Sequence, residues 1–130
     1  MPYTITHNPD LHIIEIRYQG DLVLQELREM FSDAAQLVKK HECPFFLSNF
    51  LEVTMKLSTA EIYEIPNILS DTFTASGLSI HKIKRALVVS KDLKEFGFFE
   101  IVTSNRGQNV KIFDNIAEAK EWLSKLKDSQ

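Results

Sequence analysis

The chain has 130 residues, of which 44% are hydrophobic and 25% charged, a balance that suits one domain with a substantial core. Its pI of about 5.8 lies well below the value above ~9 usual for a nucleic-acid-binding domain, and no stretch approaches the roughly 18 apolar residues of a membrane span. The single cysteine, Cys43, excludes an internal disulfide framework, and an N-terminus without a basic region and apolar core points to the cytoplasm.

Residues 3–6 and 11–18 read as two strands joined by the turn His7-Asn8-Pro9-Asp10, and Gly20 is expected to end the second. Residues 21–40 carry Leu24, Leu27, Phe31, Ala34 and Val38 at spacings of three and four, which predicts an amphipathic helix. Gln25, Glu26 and Glu29 suit its N-terminal end, and Lys39, Lys40 and His41 its C-terminal end, each matching the helix dipole. After Pro44, the nearly unbroken apolar run at 45–53 predicts a central strand buried on both faces. Ser58-Thr59-Ala60-Glu61 is a capping box. It opens a helix that turns Ile62, Ile65, Leu69 and Phe73 inward, is expected to kink or split at Pro66 and stops at Gly77.

KRALVVS, residues 84–90, predicts a second buried strand. A helix over 92–106, with Leu93, Phe96, Phe99 and Val102 on one side, and a short strand over 110–113 follow. Asn115 and Glu118 then open a last helix burying Ala119, Trp122, Leu123 and Leu126, with a few disordered residues after Lys125. The order ββαβαβαβα demands a mixed, mostly parallel five-stranded sheet with one antiparallel strand and about four helices. Charge is uneven: residues 1–71 hold 11 acids against 5 bases, and residues 72–130 hold 7 against 10. The bases gather at His81, Lys82, Lys84, Arg85, Lys91 and Lys94, where they are expected to keep the ends of a buried strand in water.

The opening hairpin with Gly20, the long amphipathic helix, the apolar third strand and KRALVVS together resemble the STAS-like family, and more specifically its SpoIIAA-like branch, relatives of the sporulation anti-sigma factor antagonist. The ending Val110-Lys111-Ile112-Phe113-Asp114-Asn115, followed by Ala119 and Trp122-Leu123, is similar to that branch's own. The resemblance covers essentially the whole chain and implies one STAS-like domain over residues 1–130. It also implies a non-enzymatic module that binds a protein partner or a small, lipid-like ligand. By position, Ser58 or Thr59 falls where the sporulation antagonist carries a phosphorylatable serine.

The residues themselves leave two roles for Ser58 and Thr59, a plain helix cap or a phosphate acceptor favoured by the helix dipole. His7, His12, His41 and His81 fall in separate elements without the i, i+4 spacing of a helical metal site, and one cysteine cannot complete a zinc cluster, so no metal is expected. Cys43 reads as a buried thiol. Ser90-Lys91-Asp92 has no nucleophile elbow around it, and glycine-rich nucleotide motifs are lacking, so no cofactor is expected. The leading reading is an interaction module, with homodimerisation as one form, that uses residues 53–61 and their neighbours. The alternative is a carrier of a small apolar ligand walled by Met55, Ile62, Ile65 and Phe99.

Overall fold

Strand residues alternate between two faces, and at residues 45–48 and 85–88 both faces are covered, which explains the apolar runs there. The computed structural model describes residues 2–90 and 109–128. The strands are β1 (Tyr3–Asn8), β2 (Ile13–Leu22), β3 (Phe45–Met55), β4 (Lys84–Val88) and β5 (Asn109–Phe113). The helices are α1 (Leu24–His41), α2 (Thr59–Ala75) and α3 (Ile116–Asp128), with a short 3-10 turn at Ile80–Lys82. The helix expected over 92–106 lies outside the described residues.

The sheet order is β1-β2-β3-β4-β5, so every strand lies beside its neighbour in sequence. β1 runs antiparallel to β2, and the three remaining pairs are parallel. One face carries Ile16, Phe46, Ser48, Phe50, Arg85, Leu87 and Val110 against α1 and α2. The other carries Thr4, Thr6, Glu15, Arg17, Leu47 and Asn49 against Ile116 and Lys120 of α3. In β3, Phe46 and Leu47 are both almost fully buried, one under each layer.

The structure corrects several boundaries. β2 does not end at Gly20 but runs through it, at φ +90°, to Leu22. A register shift between Arg17 and Gln19 marks a bulge in the pairing with β3. Residues 21–22 therefore belong to β2, and α1 starts at Leu24 behind Val23, which makes no side-chain cap. α2 passes through Pro66 unbroken. Burial of Ile62, Ile65, Pro66, Leu69 and Phe73 outweighs the ~3 kcal/mol that an interior proline costs. α2 ends in a Schellman motif in which Leu78 N–H donates to Phe73 O and Gly77 N–H, at φ +81°, donates to Thr74 O. α3 continues to Asp128, past the disorder expected after Lys125. Among the described residues, no helix is long and apolar enough to cross a membrane.

Candidate functional site

The inner residues of β3 and β4 face α1 and α2 across a cavity of about 50 Å³. Met30, Phe31 and Ala34 of α1 line one side, and Ile62, Ile65 and Leu69 of α2 another, while Met55 and Leu57 line it at the β3–α2 connection. A void of this size is room for a few waters, but a wall this apolar gives water few partners. Such a void forgoes about 1 kcal/mol of packing. Ile62 and Ile65 are buried and Met55 is half-buried, so three of the four residues expected as a ligand wall do share one cavity. Phe99 lies outside the described residues.

Two polar residues line the cavity among those described, Ser48 and Arg85. Arg85 is 8% exposed, not a base holding a strand end in water as its position suggests. Register explains the difference, because Arg85 sits opposite Phe46 and Val110 on the inner face. Lys84, on the other parity, is only half-buried. Desolvation lowers the Arg85 pKa to about 10, so the guanidinium stays charged at neutral pH in the wall of an apolar chamber.

The outer side of the same connection carries Ser58 and Thr59, both exposed. Ser58 Oγ accepts from Glu61 N–H at 3.1 Å, and Ser58 N–H donates to Glu61 Oε1 at 2.9 Å, a complete capping box. Ser58 therefore has a local task, one residue from Leu57 in the cavity wall.

At the other end of β3, the fold gathers residues that sequence spacing kept apart. His7 Nε2 lies 3.3 Å from His12 Nδ1, and the ring of His41 stacks on that of His7 at 4.0 Å between centroids, 8° from parallel. Ligand-capable atoms of His7, His12 and Cys43 all lie within 4.8 Å of one another. The buried Cys43 thiol donates to His12 O at 3.3 Å. Burial pushes its pKa up, while backbone hydrogen bonds and nearby Lys127 pull it down. Desolvation first, then His41 and His12, lowers the pKa of His7. The expected turn at 7–10 sets His7 and His12 on either side of one hairpin, but only the β2–β3 pairing brings Cys43 to them.

These elements define an α/β domain with a SpoIIAA-like fold. An uncharacterised protein of the DUF3478 family with a SpoIIAA-like fold, from Shewanella loihica PV-4, is similar over 93% of this chain and 91% of its own, with a TM-score of 0.58 and 14% identity. No family model matches the chain, and no curated protein matches it.

Proposed function

We propose that the protein is a non-enzymatic binding module that holds a small amphiphilic ligand between its sheet and the α1–α2 layer. The observation that carries this reading is the apolar cavity with Arg85 buried in its wall. Ligand sites are typically apolar chambers with a few fixed polar groups, and a guanidinium in the wall is a charge of the sign that attracts a carboxylate or similar head. Met30 and Met55, with flexible side chains, give the wall a means to widen for a body larger than the present void. The described wall holds no histidine, cysteine or carboxylate, which supports binding over acid–base or nucleophilic chemistry. Because Leu57 lines the cavity beside exposed Ser58, occupancy has a short path to the outer surface.

Octanoate and octanol titrations followed by amide chemical shifts test this. Octanoate is expected to perturb residues of β3, α1 and α2, octanol to bind at least about 10-fold more weakly, and folded Ile65→Trp to bind neither. Equal affinity for both would remove the role of Arg85, and absence of any cavity response would remove the reading.

The second reading is docking of a protein partner, a second copy included, on the β3–α2 surface. Leu51 and Tyr63, at 39% and 43% exposure, are large apolar residues on the two elements flanking Ser58 and Thr59. Concentration-dependent mass in light scattering, abolished by Leu51→Lys with Tyr63→Lys, would favour it.

A further inference from the structure

We propose that His7, His12 and Cys43 form a binding site for a borderline-soft transition metal ion of the zinc type, with a fourth position open to solvent. This is independent of the cavity, since Cys43 precedes β3 whereas Met55 ends it.

The geometry is close to what such an ion needs. With Zn–N bonds of about 2.0–2.1 Å and tetrahedral angles, two coordinating nitrogens stand about 3.3 Å apart. His7 Nε2 and His12 Nδ1 are 3.3 Å apart already. A thiolate at about 2.3 Å from the ion lies about 3.6 Å from each nitrogen. The three ligand atoms lie within 4.8 Å of one another, so about 1 Å of side-chain movement by Cys43 is enough to close the site.

The ligands come from positions held in place. His7 belongs to β1 and pairs with Ile14 of β2, and its ring plane is fixed by the stack on His41. His12 has φ 52° and Glu42, next to Cys43, has φ 50°. Left-handed backbone at a non-glycine residue is strained and recurs at functional sites. Asn8 Oδ1 accepts from the N–H groups of Asp10 and Leu11, which ties down the turn that presents His12. Two imidazoles and one thiolate are ligands that zinc takes, and three protein ligands leave its fourth position for water or another molecule.

Binding balances simply. The proton shared between His7 and His12 moves to the nitrogen facing away from the ion, so each ring offers a lone pair. Cys43 releases its proton to solvent, turns its Sγ from the His12 carbonyl and donates an electron pair to the ion. No redox step is involved.

The test uses the 130-residue chain without a histidine tag. Cobalt(II) is titrated first, with zinc(II) then displacing it. The expected result is one equivalent of cobalt with tetrahedral d–d bands and a thiolate-to-cobalt charge-transfer band in the near ultraviolet, lost when one equivalent of zinc is added. Cys43→Ser should remove the charge-transfer band. His12→Asn, which keeps a residue tolerant of left-handed backbone, should weaken zinc at least about 100-fold, since losing even an outer-shell partner costs 10–100-fold. His81→Ala should change nothing. Because Cys43 is buried and its variant can misfold, circular dichroism accompanies each, and His12→Asn, at the exposed turn, is decisive on its own. Binding at millimolar metal only, octahedral cobalt spectra, or full affinity in folded His12→Asn would each overturn the proposal and leave a His–His hydrogen bond beside a buried thiol.

Discussion

The Tyr3 phenol donates to Asp33 Oδ2 at 2.7 Å, joining the edge strand to α1. Burial first, then the hydrogen bond and charge of Asp33, push its pKa well above the usual value of about 10. Tyr18, whose hydroxyl donates to Asp21 O at 2.8 Å, is likewise raised by burial. A group whose pKa is higher in the folded state gives stability that is fully present below its unfolded value and is lost as pH rises above it. Denaturant midpoints should therefore hold up to about pH 10 and fall beyond it, with Tyr3→Phe falling less steeply than the parent chain. At neutral pH that variant should lose about 1–3 kcal/mol, because Asp33 gives up a charge-assisted partner. An unchanged alkaline slope would show that Tyr3 is not responsible.

Among the elements, α2 best separates local rules from tertiary context. Its capping box is legible in Ser58 and Glu61, because the motif needs only residues three apart. Its continuity through Pro66 is not, since the packing that outweighs the missing hydrogen bond comes from distant segments. α1 begins three residues later than its sequence pattern suggests for a related reason. Asp21 and Leu22 look like helix-entry residues, yet they pair with Thr54 and Met55 across the sheet. If Ser58 acts as a cap, Ser58→Ala should cost on the order of 1 kcal/mol and Ser58→Asp almost nothing, since aspartate also caps and adds favourable charge at the helix start. Urea unfolding measures both. Octanoate binding by folded Ser58→Asp should match the parent; a sharp change would instead mark a phosphate-sensitive switch.

For the whole molecule, the order of elements and the mostly parallel sheet are readable because apolar runs, glycines and helical stripes alternate along the chain, and the SpoIIAA-like fold is readable through the resemblance those runs and the ending at 110–123 carry. The cavity is readable as far as Met55, Ile62 and Ile65. Arg85 is not, because a base near a strand end normally faces water, whereas in a strand covered on both sides parity decides which neighbours it meets. The His7–His12 pair follows from the hairpin turn, whereas Cys43, 31 residues beyond His12, joins it only through tertiary pairing. Leu47, at 3% exposure, tests the layer on the opposite side of the sheet. Leu47→Ala should lower stability by about 2–5 kcal/mol, and a loss below about 1 kcal/mol in guanidinium unfolding would refute its place between β3 and α3.

Because sheet order repeats chain order, each strand finds its partner among segments that have already left the ribosome, and no strand waits for a later one to be inserted between it and its neighbour. Such topology keeps loop-closure entropy low and suits growth by accretion during synthesis. α3 is the exception. It follows every strand, yet Ala119 and Leu123 on its inner side are fully buried, and Leu47 is part of the surface it covers. Until α3 docks, a nascent chain leaves Leu47 and the patch around it without this cover, although every strand of the sheet is already in place.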